Sequence, residues 1–456
     1  MDRIITVNPT NGIQLNAYEY HTASEIEVRL ARSSSTYALW RNVPLARRLE
    51  CLTTLSKILM TEMPNLAALA TREMGKPFAQ ARLEIEKCAM ACTFYSEAAP
   101  DMLARRSVAI PSGRAYVAYE SLGPVLGIMP WNFPYWQVLR VAAPALAAGN
   151  TVLLKHAENT TGVALEIERL ALAAGFPAGA LQALKVDHSQ IPRIIADERV
   201  RAISLTGSER AGRIVAALAG AALKKSVLEL GGSDPYVVLA DADIESAAEI
   251  CVRARLVNGG QSCVAAKRFI IDTKVYDAFV RAFVARANRY VVGDPMDPHT
   301  ALGPLAKRSI RDEVATQVTQ SVAQGATLLL GGAPLPGSGF FYQVTVLGEV
   351  VPGMPAFDEE VFGPAAALIR AKDEADAIKL ANLSRFGLGA AVFSRDKERA
   401  ELLARDQLEA GFVVVNGMVQ SDPRLPFGGI KASGYGRELS SEGLREFVNV
   451  KTVIVA

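Results

Sequence analysis

Histidine is scarce in this chain, with four in 456 residues, at positions 21, 156, 188 and 299. Cys88 and Cys92, four apart on an expected helix, therefore have no imidazole nearby to complete a metal site, and core packing accounts for them better. A cysteine hydrolase would need one of these histidines as a base, and none stands in a recognisable partner motif. An excess of one charge is missing too: 49 basic residues meet 47 acidic ones, for a net +2, and the basic ones are scattered. This gives no electrostatic case for binding nucleic acid. Long apolar runs are absent; the most hydrophobic region, 141–154, is cut by Pro144, Gly149 and Asn150, short of a membrane span. Met1-Asp2-Arg3-Ile4 carries no apolar signal core, so a soluble cytoplasmic protein without membrane partners is expected. The five cysteines, at 51, 88, 92, 251 and 263, are odd in number and irregularly spaced. Reduced thiols are expected, not a disulfide framework. No fixed-period repeat or low-complexity segment is found.

What is present is half hydrophobic and long enough for two or three domains. Residues 24–110 read as mostly helical. Ser24-Glu25-Ile26-Glu27 has the form of a capping box, Leu52, Leu55, Leu59, Met63 and Leu66 follow the helical period, and Pro64 and Pro77 are expected to break the run. Alternation over 113–122 predicts a strand. Beyond it strands and helices take turns: strand 125–129, helix to 148, strand 151–154, helix to 174, strand 201–205, helix 209–218. That order predicts a parallel sheet with helices on both faces. A second such series starts at 234–239, and the alternating 447–455 segment is a strand able to pair with 113–122 or with another subunit.

The central stretch is Asn258-Gly259-Gly260-Gln261-Ser262-Cys263. A helix over 243–257, capped by Asp243, is expected before it and a strand over 264–271 after it. Asn258, Gly259 and Gly260 supply left-handed backbone for a helix stop. Cys263 thereby sits at a junction, where side chains reach clefts; alone, it could equally be a small buried hydrophobe.

Pro130-Trp131-Asn132-Phe133-Pro134, Leu228-Glu229-Leu230-Gly231-Gly232, Gly260-Gln261-Ser262-Cys263, Glu359-Glu360-Val361-Phe362-Gly363-Pro364 and Pro426-Phe427-Gly428-Gly429 together carry a resemblance covering essentially the whole chain. In order and spacing they resemble the NAD(P)-dependent aldehyde dehydrogenase superfamily, and within it the short bacterial succinate-semialdehyde dehydrogenases. The resemblance implies an α/β fold of two doubly wound lobes with a small β oligomerisation arm. Its implied divisions are a cofactor-binding domain (1–110 and 124–231), a catalytic domain (232–431) and an arm (111–123 and 440–456), with a homodimer or homotetramer as the assembly.

The chemistry gives each residue a role. Oxidising an aldehyde by hydride transfer first needs a tetrahedral centre, which a Cys263 thiolate makes by attacking the carbonyl. A free thiol has a pKa near ~8.5 and needs help to ionise; the positive nicotinamide of an oxidised cofactor is a candidate source. Asn132 is the candidate oxyanion donor with a backbone N–H at Cys263, and a turn asparagine otherwise. Glu229, between Leu228 and Leu230, is the candidate base for thioester hydrolysis, its pKa raised by desolvation; a buried structural charge is the other account.

No Gly-x-Gly-x-x-Gly follows a strand. Thr206-Gly207-Ser208 instead ends a strand and opens a helix, with Gly212 one turn in, which suits phosphate on a helix N-terminus and is also common as simple capping. By resemblance, Trp131 belongs to the cofactor site, Lys155 and Glu158 hold the adenosine ribose, Glu360 the nicotinamide ribose, and Phe362 packs on the ring. A carboxylate at Glu158 repels a 2′-phosphate, favouring NAD with NADP still possible. His156 stands where the family has proline. By the same resemblance Arg140, eight residues after Asn132, is the clamp for a substrate carboxylate, and Ser421 matches a serine that contacts that carboxylate or is a solvated loop residue. A second arginine expected six residues before the nucleophile is replaced by Val257, and Arg424 is either its substitute or a solvated loop residue. The expected reaction is succinate semialdehyde to succinate. Another small aliphatic aldehyde, transfer to coenzyme A, a cofactor-independent hydrolase and a cofactor-binding protein without turnover are the rivals.

Overall fold

The structure, a computed structural model, describes residues 3–456; Met1 and Asp2 of the expected signal-free start lie outside it. Two parallel sheets form the two lobes. The first runs, in spatial order, Gly434–Tyr435, Lys225–Glu229, Ala202–Thr206, Pro124–Met129, Thr151–His156, Leu181–Ala183, and only its first pair is antiparallel. The second has seven strands centred on Arg268–Asp272 and Pro235–Val238, parallel but for the edge strand Thr327–Leu330. Parallel strands read as continuous apolar runs because both faces are covered, and Pro235–Val238 is buried at all four positions.

The helical amino-terminal region departs from expectation in two places. Its first helix, Ala23–Trp40, is capped by Thr22, not Ser24: the Thr22 hydroxyl accepts from Glu25 N–H while the Glu25 carboxylate accepts from Thr22 N–H at 2.7 Å. Both residue pairs fit the capping-box spacing, but Glu27 is drawn away to Arg199, whose Nη1 donates to it at 2.6 Å. The next helix, Leu45–Met74, passes through Pro64 without stopping. Pro64 lies on the exposed side, where water can take the carbonyl that loses its N–H partner. Pro77 does separate the helices, as the residue before Phe78–Met102.

Helix Trp136–Ala148 is buried at every position and packs between the first sheet and the long helices in one hydrophobic cluster. It ends at Gly149, φ +97°, a conformation glycine adopts at little cost. Strand Arg114–Ser121 pairs antiparallel with Val448–Val455 along all eight residues, so the expected terminal pairing forms within the chain. Helix Ser440–Glu446 precedes that last strand.

Candidate active site

Helix Ile244–Leu256 is capped by the Asp243 side chain, which accepts from Ser246 N–H. The chain then turns through three successive left-handed residues, Asn258 (φ +53°), Gly259 (+64°) and Gly260 (+74°). The expected strand at 264–271 begins only at Arg268. The four residues before it stay irregular because Lys267 gathers them: its Nζ donates to the carbonyls of Cys263 and Ala265 at 3.0 Å and of Ser262 at 3.2 Å. A strand would have sent those carbonyls outward. Arg255 does the same for the preceding turn, donating to Gly260 O at 2.8 Å and Gly363 O at 2.7 Å. Two buried cations thus fix the cysteine loop through backbone carbonyls.

Cys263 opens on a cavity of about 580 Å³ whose wall includes Arg140, Trp136, Ser421 and Phe427. Burial pushes its thiol up to about 12, partly opposed by Arg140 and Lys267. The other four cysteines are buried thiols, with Cys88 and Cys92 in the helical core. None of the four histidines lines this cavity. His156, neutral because burial lowers its pKa to about 4, bonds Pro134 O through Nε2 at 2.9 Å and takes Ala157 N–H on Nδ1. In proline's place it ties the end of strand Thr151–His156 to the Asn132 loop.

Asn132 is buried, with its side-chain amide donating to Gln261 O at 3.1 Å and its carbonyl oxygen accepting from Phe133 N–H and Gln137. Asn258 bonds both Asn132 O and Gln261 O, so the asparagine and cysteine loops are locked together. One amide hydrogen of Asn132 makes no bond among the described residues. The helix after it is held by Glu84, which accepts from Tyr135 and Trp136 N–H at 2.8 and 2.9 Å, as a carboxylate at a helix N-terminus should.

Glu229 ends strand Lys225–Glu229. Its side chain is buried with neither carboxylate oxygen hydrogen-bonded. It does not line the Cys263 cavity; it points toward Gly428, where a Cβ would stand 2.8 Å from Oε1. Burial and the charge of Glu438 hold its proton well above the usual carboxylate range, against Arg140 and Arg437. Burial raises the proton affinity of Glu438 too, but less than that of Glu229, because Glu438 faces Arg140 and accepts from Ser204 at 3.3 Å.

Arg140 borders the cavity, but its guanidinium is committed: Nε meets Glu438 and Nη2 donates to Thr206 at 3.1 Å. Ser421 accepts from Lys87 Nζ at 2.7 Å. Arg424 is 75% exposed and paired with Asp422, the solvated loop residue of the two expectations.

The phosphate-type turn is formed as expected. Ser208 caps helix Glu209–Ala221, and Gly207 N–H donates to Glu229 O at 3.0 Å. A Cβ at Gly207 would meet nothing closer than 3.9 Å, so packing does not demand this glycine and the space over the helix N-terminus is open. Gly212 is demanded by packing, since a Cβ there would strike the Leu230 side chain. Lys155 is buried and bonded to no described residue, while Glu158 accepts from Tyr20 at 2.9 Å. Glu360 accepts from Gly232 N–H at 3.0 Å, and Phe362 meets Trp131 edge-on at 5.7 Å. An open helix N-terminus, a free buried ammonium and two carboxylates fit a dinucleotide. Among the described residues no group of side chains is placed to hold a metal, and no helix is long and apolar enough to cross a membrane.

Lys87, Lys267, Arg255 and Glu438 were not found from sequence. Each acts across a long separation or through backbone carbonyls, which leave no local pattern.

Residues 2–453 match the family described as the aldehyde dehydrogenase family. The chain is 47% identical to the succinate semialdehyde dehydrogenase (NAD(P)+) of Escherichia coli, over 98% of this chain and 97% of that one. It is 45% identical to the NADP(+) succinate-semialdehyde dehydrogenase of Mycolicibacterium paratuberculosis, over 99% and 96%. The crystal structure of succinic semialdehyde dehydrogenase from Streptococcus pyogenes with NADP+ superposes with a TM-score of 0.97 at 37% identity, covering 99% of both chains.

Proposed function

The chain belongs to the aldehyde dehydrogenase family, and from that premise we propose that it oxidises succinate semialdehyde to succinate with NAD, NADP also being accepted. The observation that supports this is the locking of the asparagine loop to the cysteine loop, with Asn132 and Asn258 both donating to Gln261 O two residues before Cys263, beside a cavity that Cys263 lines together with cationic side chains.

Cys263 attacks the aldehyde carbon as thiolate, and the free amide hydrogen of Asn132 receives the resulting oxyanion. The loop keeps its shape during this step because Lys267 and Arg255 hold its carbonyls. A bound oxidised nicotinamide cofactor would supply the hydride acceptor for this oxidation. Lys155, Glu158, the Gly207-Ser208 turn, Glu360, Phe362 and Trp131 are the residues to hold that cofactor. Glu229, once turned from Gly428 and the Glu438 charge toward Cys263 and ionised there, takes the proton of the water that cleaves the Cys263 thioester.

Self-association belongs to the same reading. Val448–Val455 is an edge strand with Val450 58% and Ile454 63% exposed, an edge that a lone subunit leaves open; light scattering should give a dimer or tetramer. Its unbridged thiols suit a cytoplasmic setting, which fractionation of the source cells would check.

The deciding test is NADH formation with succinate semialdehyde and with butanal, which has the same carbon count and no carboxylate. A large preference in kcat/KM for the former is expected. Equal values would keep the dehydrogenase and remove the substrate.

A further inference from the structure

Among the described residues three cationic side chains border the Cys263 cavity: Arg140, Arg253 and Lys87. They are not equivalent. Arg140 is buried against Glu438, so its charge is already balanced. Arg253 is exposed, where water and salt screen it. Lys87, on helix Phe78–Met102, lies over the Trp136 ring at 4.4 Å and forms no ion pair. Its Nζ bonds only the Ser421 hydroxyl, at 2.7 Å.

The acids near Lys87 are occupied. Glu84, one turn earlier on the same helix, is ion-paired with Lys76 and accepts from the Tyr135 and Trp136 amides. Asp422 is paired with Arg424. An ammonium in an apolar cavity without a counterion is costly, and that cost becomes binding energy for a ligand that brings the anion.

Resting on the succinate semialdehyde reading, we infer that Lys87, with the Ser421 hydroxyl, is the seat of the substrate's distal carboxylate. The carboxylate takes one hydrogen bond from the Lys87 ammonium and one from the Ser421 hydroxyl, which turns its proton outward while still accepting from Lys87. Arg140, paired with Glu438, lies behind this seat. Burial, with Arg140 beside it, lowers the Lys87 ammonium to about 8, so the charge is lost in mildly alkaline solution unless a carboxylate restores it.

The test compares succinate semialdehyde and butanal in wild type, Lys87→Met and Lys87→Arg. Lys87→Met should lower kcat/KM for succinate semialdehyde by ~10–100-fold, the range for a lost charged hydrogen bond, with a fall for butanal at least ten times smaller, and Lys87→Arg should restore part of the preference. A second reading needs no variant. In wild type the ratio of the two kcat/KM values, from which ionisations common to both substrates cancel, should fall above about pH 8. Equal losses for both aldehydes in Lys87→Met, or a flat ratio from pH 7 to ~10, would overturn the assignment while a standing wild-type preference keeps the substrate reading. A wild type without preference would overturn the substrate reading itself, and this assignment with it.

Discussion

Arg140 and Glu438 form an ion pair with both side chains 2% exposed, beneath the cavity that holds Cys263. Removing one member of such a pair leaves the other charge buried without compensation, a loss of about 3–5 kcal/mol. Arg140→Met should therefore lower the denaturant midpoint and cut turnover of every aldehyde alike. The double variant Arg140→Met/Glu438→Gln should recover much of the stability. A parental midpoint in Arg140→Met, with a loss confined to carboxylated aldehydes, would instead show Arg140 facing substrate.

The fate of Arg140 illustrates what the sequence could carry. Arg140 borders the cavity, whereas Asn132, in the loop before helix Trp136–Ala148, lies outside the cavity wall, so two helical turns do not relate the two residues. The counterion of Arg140 lies at the far end of the chain, and no local pattern announces that. The left-handed turn at Asn258–Gly260 was legible because residue type and backbone demand coincide there. The strand after Cys263 was expected too early because Val264 to Ala266 are apolar. A buried lysine that bonds the carbonyls of Ser262, Cys263 and Ala265, with Arg255 on Ala266 O, overrides strand propensity, and propensity does not contain those contacts. Glu229 was legible as a desolvated acid, but its orientation away from Cys263 depends on Gly428 and Glu438.

Cys263 in the cofactor-free protein should be slow to alkylate. With its thiol pushed up to about 12, only the thiolate reacts, so the iodoacetamide rate should climb about tenfold per pH unit from 7 to ~10 without a plateau. Mass spectrometry with Cys263→Ala as control isolates this site. A plateau below pH ~9 would mean that the free protein already stabilises the thiolate.

Glu229→Gln should separate stability from turnover. The folded pKa of Glu229 is raised, so the stability it contributes is present below the unfolded value, near ~4.3, and is lost as pH rises through the folded value. Glutamine has no proton to lose. The variant should therefore melt higher than wild type, by a margin that widens with pH, while giving one burst of NADH and then stalling at the thioester. Unchanged steady-state turnover would assign the base elsewhere, and a lower melting temperature would mean that the carboxylate is stabilised in the fold.

Glu158 is the acid that the resemblance puts at the adenosine ribose, and its charge is the expected control on cofactor choice. It accepts from Tyr20 at 2.9 Å, and its charge acts on both Lys155 and Lys307. A 2′-phosphate entering there would meet one carboxylate among two ammonium groups. Like charges at ~5 Å in a half-exposed site repel by about 1–2 kcal/mol, enough to set preference but not to forbid either cofactor. Glu158→Gln keeps the volume and removes the charge. It should raise kcat/KM for NADP relative to NAD by ~10-fold, and fluorescence titration of the same variant should show tighter NADPH binding whether or not turnover changes. If the variant weakens both cofactors equally, Glu158 acts by holding Tyr20 and the local backbone, and the phosphate is excluded by shape.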